Sequence, residues 1–219
     1  VQRYPLEWAE SLRDMASRGA ELFVPAHGLP IAGSERIRQC LETVAATLET
    51  LVHQLSDAMN TGARLDEIVH GVSVPAETLQ LSYLRPLYDE PEFVIRNIWR
   101  LYGGWWDGNP ARLKPASDAA IGTEVGRLAG GVDVLVARAI DVSGSGDHRL
   151  ACQLIEYAVA AEPEAHGVHE ARVQIYAARR AAESSLMAKG IYRSAAADSE
   201  TVLRGEAPPV KMVLSIGEE

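Results

Sequence analysis

No apolar run in these 219 residues approaches the ~18 residues that a membrane-spanning helix needs. Cysteine is scarce: Cys40 and Cys152 lie far apart and share no CxxC or Cys/His spacing. They read as buried or half-buried thiols, and they do not reveal a compartment. Positive charge is also in short supply. Twenty-one Lys and Arg face 30 Asp and Glu, a formal charge of −9. Nucleic acid and anionic membrane surfaces both call for a clustered cationic footprint, so neither is an expected partner. The start Val1-Gln2-Arg3-Tyr4 has no Met and no charged-then-apolar leader. It reads as a domain entered in mid-stride.

The usual catalytic signatures are missing as well. The sequence contains no HxH, HExxH, HxHxDH or GxSxG, no phosphate-binding glycine loop, and no Cys beside a plausible base. His166 and His169 stand three apart without an acidic or Cys partner at ligand spacing, so surface placement is expected for both. No complete catalytic constellation lies in these residues.

What is present is helix. The apolar fraction of 47% and charged fraction of 23% are those of a globular chain long enough for one good-sized core or two small ones. Pro5 to about Arg18 predicts a short amphipathic helix, with Trp8, Leu12 and Met15 on one face and Gly19 ending it. Glu21–Val24 predicts a short buried strand stopped by Pro25. Ser34 is the expected N-cap of the longest helix, which runs to about Asn60. Its seam is Ile37, Leu41, Val44, Leu48, Leu51 and Leu55, at alternating spacings of four and three that suit helix–helix packing. Each such side chain contributes ~1.5–3 kcal/mol when buried, so the seam must face another helix, in this chain or in a second copy.

Gly71 and Pro75 break Arg64–Arg85 into short helices or turns. Asp89-Glu90-Pro91-Glu92 starts a helix that carries Val94, Ile98, Leu101 and Tyr102 toward a core. It ends in Gly103-Gly104-Trp105-Trp106-Asp107-Gly108-Asn109-Pro110, which cannot be ordinary helix. Trp105 and Trp106 are expected in a core or subunit interface rather than beside a ligand. Ser117-Asp118 caps a further helix, and Gly130-Gly131 separates it from Val132–Val142. A turn at 144–147 leads into His148–Glu162, and one more helix is expected from Glu164 to Met187. Ala139, Ala151, Ile155, Ala158 and Pro163 fit the register of a tetratricopeptide-like hairpin, in which small residues let helices approach closely. Arg204–Glu219 carries no clear pattern.

His27 stands apart from the other histidines. A lone loop histidine is usually structural or exposed. Yet Pro25-Ala26-His27-Gly28-Leu29-Pro30 is a stiff, sharply turned segment, and metal sites need an imidazole whose direction is fixed in advance.

Two stretches resemble a known family. Phe23–Pro30, after the Trp8 helix, is similar to the end of a metallo-β-lactamase-fold domain. Arg96–Pro110, with its Trp-Asp-Gly-Asn-Pro element, resembles the alkylsulfatase dimerisation domain, and the likeness continues in order to about Tyr192. It implies a mostly α fold: residues 1–33 as the C-terminal edge of a metallo-β-lactamase-fold domain, 34–203 as the helical dimerisation domain, and 204–219 as a tail. It further implies a homodimer joined to an upstream catalytic domain with two zinc ions, whose metal-bound hydroxide acts as nucleophile or base. His27 matches the family's late metal-ligand His. Every other ligand would lie upstream of Val1, so the fragment alone should hold little or no zinc and hydrolyse nothing. Alkyl sulfate esters are the implied substrates. A stand-alone helical interaction module, and a metallo-β-lactamase-fold hydrolase of another ester or lactone, are the alternatives.

Overall fold

A computed structural model describes residues 2–206. The fold is mostly α: ten α-helices and one two-stranded sheet occur among the described residues. Backbone contacts divide the chain into two compact units, Val1–Pro115 and Ala116–Glu219. The division expected between Gly33 and Ser34 therefore runs inside the first unit.

In the first unit, α1 (Pro5–Ser17) packs along α2 (Ser34–Asn60). Pro5 occupies the first turn of α1, where its missing N–H costs nothing. The buried stripe of α1 is Pro5, Ala9, Leu12 and Ala16, not the expected Trp8/Leu12/Met15 face. Trp8 and Met15 stay largely exposed, because the small Ala9 and Ala16 are what let α1 approach α2. The seam of α2 is filled from within the chain. Ile37, Leu41 and Leu48 bury against Ala9, Leu12 and Ala16. Leu51 and Leu55 bury against α5 (Pro91–Gly103) and α3 (Leu65–Gly71). Val44 is only half-buried, and Ala45 takes the closest position. Arg13 of α1 ties the pair at the surface, donating to Glu49 at 2.8 Å and to Glu42 at 3.2 Å. That contact holds the Glu49 carboxyl below the usual carboxylate range.

The start of α2 departs from expectation. Gly33, at φ 97°, occupies the cap position and Ser34 is already helical with no side-chain cap, because the hairpin before it needs a backbone that only Gly adopts easily. α4 (Ala76–Leu79) completes the short-helix region. On α5 the buried residues are Ile95, Ile98 and Trp99. Of the residues expected there, Val94 and Leu101 are half-buried and Tyr102 is exposed; the core face is turned by one position, and the large side chain it buries, with Met59 packed against the same cluster, is Trp99.

The second unit comprises α6 (Asp118–Ala129), α7 (Val132–Gly144), α8 (His148–Ala161), α9 (His166–Ala182) and α10 (Leu186–Leu203). Ser117 caps α6 through its hydroxyl, as expected. Ala139, Ala151, Ile155 and Ala158 are fully buried. Gly122 of α6 crosses α8 so closely that an added Cβ would sit 2.4 Å from the Tyr157 carbonyl oxygen. The single helix expected over Glu164–Met187 is instead broken at Glu183–Ser185. Ser185, fully buried, accepts from the Ala188 N–H and starts α10, which folds back along α9. Of the expected tail, residues 207–219 lie outside the described residues.

Candidate functional site: the His27 hairpin and the tryptophan turn

His27 sits in the loop of an antiparallel hairpin, β1 (Leu22–Phe23) with β2 (Ile31–Ala32). The expected buried strand is shorter and more open. Leu22 and Val24 are exposed, since a two-residue strand at the rim of the unit has one neighbour and no covering layer. The hairpin is nonetheless anchored. Phe23 and Ile31 pack onto the α1/α2 core, and the Gly33 N–H donates to the Glu21 carbonyl at 2.9 Å. Gly28 turns the loop at φ 101°, a conformation costly for any side chain but glycine's. The His27 imidazole is exposed and has no hydrogen bond or ion pair among the described residues.

No group of three or more His, Cys, Asp or Glu that could hold a metal occurs among the described residues. Stable zinc sites use three or four protein ligands. The residues present therefore do not by themselves fit a zinc centre. His53, His70 and His166 are exposed, and His70 is bonded to its own helix through the Asp66 carbonyl at 2.8 Å. No helix among the described residues is long and apolar enough to cross a membrane.

His169 corrects the surface expectation. It is 4% exposed and lies at the junction of α8, α9 and α10. Its Nε2 is 2.8 Å from the Pro163 carbonyl, which can only accept, so Nε2 carries hydrogen and Nδ1 receives the Ser199 hydroxyl at 3.0 Å. Ser199 in turn accepts from Arg172, which also donates to Glu156 at 2.7 Å and to the Ala195 carbonyl at 2.6 Å. Tyr176 donates to the same Glu156 oxygen at 2.8 Å. Burial, then the nearby Glu156 charge, pushes the Tyr176 phenol far above its ordinary range, so it remains a donor. Burial likewise raises the Cys152 thiol to about 11, which makes it unreactive. This cluster is an interior polar strut. The spacing His169, Arg172, Tyr176 on one face of α9 was its only signal in the sequence.

The tryptophan turn is built by backbone hydrogen bonds to side chains. The Trp99 indole donates to the Trp106 carbonyl at 3.1 Å, and the Trp106 indole donates to the Asn109 carbonyl at 3.2 Å. Asp107 accepts from the Asn109 N–H at 2.9 Å and from Arg112 at 2.6 Å, and its carbonyl accepts from the Leu65 N–H at 3.1 Å. The turn thus docks on the start of α3. Trp105 projects from it 77% exposed and Trp106 is 40% exposed. Within the first unit, Trp105 is not a core residue; the tryptophan buried there is Trp99.

The sequence profile of the alkyl sulfatase dimerisation family matches residues 64–201, more than half of the chain, and takes in this turn. The chain belongs to that family. It is 31% identical over 158 residues to a linear primary-alkylsulfatase of Pseudomonas sp. (strain ATCC 19151), covering 72% of this chain and 30% of that protein. It is 30% identical over 144 residues to an (R)-specific secondary-alkylsulfatase of Pseudomonas sp., covering 65% and 22%. The fold matches the stereoselective inverting sec-alkylsulfatase Pisa1 from Pseudomonas sp. with a TM-score of 0.83 at 23% identity, over 94% of this chain and 33% of that one. The chain spans about a third or less of each of these relatives.

Proposed function

We propose that this chain is the C-terminal, dimer-forming part of a zinc-dependent hydrolase of alkyl sulfate esters, and that His27 is the one metal ligand it contributes. The observation that carries this reading is the setting of His27. An exposed imidazole without a partner among the described residues sits on a hairpin anchored by Phe23 and Ile31, in a member of the alkyl sulfatase dimerisation family. Fixed direction and a free lone pair are what a ligand histidine needs. The remaining ligands would come from an upstream metallo-β-lactamase-fold domain, and no reaction step is assigned to residues of this chain.

The substrate class rests on the relatives, which are alkylsulfatases for primary and secondary esters. Self-association rests on the family's name and on Trp105, a large apolar side chain left outside the first unit's core. The α2 seam packs within the chain, against α1, α3 and α5.

The test is His27→Ala in the full-length parent. Zinc content should fall from two toward one and alkyl sulfate turnover by orders of magnitude, while the melting temperature of the metal-free protein stays put. A fully metallated, active variant ends the ligand assignment. Assaying the parent on an alkyl sulfate, a phosphoester and a lactone side by side decides the bond cleaved. Sedimentation of the chain should give a homodimer at micromolar concentration; a clean monomer removes the assembly reading.

A further inference from the structure

His27 is the midpoint of its hairpin loop. The register Phe23↔Ile31 leaves residues 24–30 to close that loop, and Pro25 and Pro30 stiffen its two shoulders. Within the stretch only Gly28 has a positive φ, 101°. An added Cβ there would meet nothing closer than the Pro25 Cγ at 3.9 Å, an ordinary contact. Space is therefore not what calls for glycine at this position; the backbone angle is. An L residue would have to take the strained left-handed well or swing φ back to negative values. The second movement turns the peptide plane that follows His27 and carries the His27 Cα–Cβ direction with it. The imidazole is exposed, so no packing restores its aim.

We infer that Gly28 is a positioning residue for His27, holding the imidazole in the direction a ligand needs before the metal arrives. The inference rests on the ligand reading of His27 above and adds to it the residue that fixes the ligand's aim. Gly28 itself touches neither metal nor substrate. Its part is rotation and not room, so the effect of replacing it falls on the direction of His27 and leaves the packing of the hairpin on α1 and α2 intact. Disturbing the groups that orient a metal ligand typically lowers metal affinity about 10- to 100-fold, and that is the size expected for Gly28→Ala.

The test compares Gly28→Ala, Gly28→Asn and Gly62→Ala in the full-length parent. Zinc affinity is measured by chelator competition, alongside the melting temperature of the metal-free protein. Gly62 is the matched control. It too has a positive φ, 87°, and nothing within 4 Å of an added Cβ, but it follows the far end of α2, about 40 Å along that helix from the hairpin. Gly28→Ala should hold one zinc about 10- to 100-fold less tightly. Gly62→Ala should lower the metal-free melting temperature as much and leave zinc affinity at the wild-type value. Asn takes the left-handed well more readily than Ala, so Gly28→Asn should recover part of the affinity. In the 219-residue chain, without metal, backbone residual dipolar couplings of residues 24–30 should change in Gly28→Ala, and those of α1 and α2 should not. Wild-type zinc affinity in Gly28→Ala, an equal loss in Gly62→Ala, or unchanged couplings overturns the positioning role. His27→Ala scores the ligand reading separately. If it loses zinc while Gly28→Ala keeps it, the positioning role alone falls; if it keeps full zinc, the ligand reading falls and the positioning role with it.

Discussion

The Trp99 indole N–H points at the carbonyl of Trp106, 3.1 Å away and seven residues further on. This one bond closes the turn after α5 and keeps its two glycines from unravelling. It also divides the three tryptophans of residues 99–106: Trp99 fills the core and fixes the turn, Trp106 braces it, and Trp105 is left outside.

Asp107 is the acid hinge of that turn. The Arg112 guanidinium, then the Asn109 N–H, hold its carboxyl below the usual carboxylate range. A carboxylate lowered on folding stabilises above its unfolded pKa, ~3.9, and the gain is lost as pH falls through the lowered folded value. Asp107→Asn should therefore lower the melting temperature at pH 6 to 7, and the gap from wild type should close as pH drops toward 2. Melting curves across that range check it; a gap that is constant with pH contradicts the ion pair.

Gly122 and Gly190 should respond to alanine with opposite signs. A helical glycine gains about 1 kcal/mol on becoming Ala. At Gly190 nothing lies within 4 Å of the new Cβ, so Gly190→Ala should stabilise by about that amount. At Gly122 the Cβ would stand 2.4 Å from the Tyr157 carbonyl oxygen and 3.0 Å from the Ala161 nitrogen. Backbone cannot yield as a side-chain tip can, and the clash outweighs the propensity gain. Gly122→Ala should destabilise by about 2–3 kcal/mol. Denaturant midpoints of the two variants decide the matter.

Leu48 is 5% exposed between α1 and α2. Leu48→Ala should cost about 2–5 kcal/mol. Leu48→Asp should unfold the first unit outright, because an unpaired carboxylate would replace a core side chain. Near-ultraviolet circular dichroism of Trp99 and its neighbours should be lost. A folded, monomeric Leu48→Asp chain would mean that the seam serves assembly after all.

His169→Ala should destabilise the second unit by about 2–4 kcal/mol, through a cavity and through loss of both ring-nitrogen bonds. The Pro163 carbonyl loses its donor and Ser199 keeps only Arg172. Amide exchange should quicken first in α10, which the Ser199 contact ties to α9. Exchange that quickens only around His27 would place the effect elsewhere.

The helical class, the long α2 and its seam, the N-cap at Ser117 and the odd character of the tryptophan turn were all legible in the residues themselves. Each is a local matter: periodicity, a capping hydroxyl, or glycines beside paired tryptophans. The family was legible too, through the ordered Trp-Asp-Gly-Asn-Pro element. The break at Ser185 was not, because a buried serine cap looks like any other serine until α10 folds back over it. His169 and Trp8 exchanged their expected places for the same kind of reason. A histidine three residues from another carries no mark of burial, and the Trp8 face lost to Ala9 and Ala16 once α1 had to approach α2 closely. Sequence determined most of the helical segments, α10 and the break before it excepted, and which residues are apolar, since those follow from neighbours along the chain. Only the tertiary structure decided which apolar face is covered, because that depends on side-chain volumes supplied by distant segments.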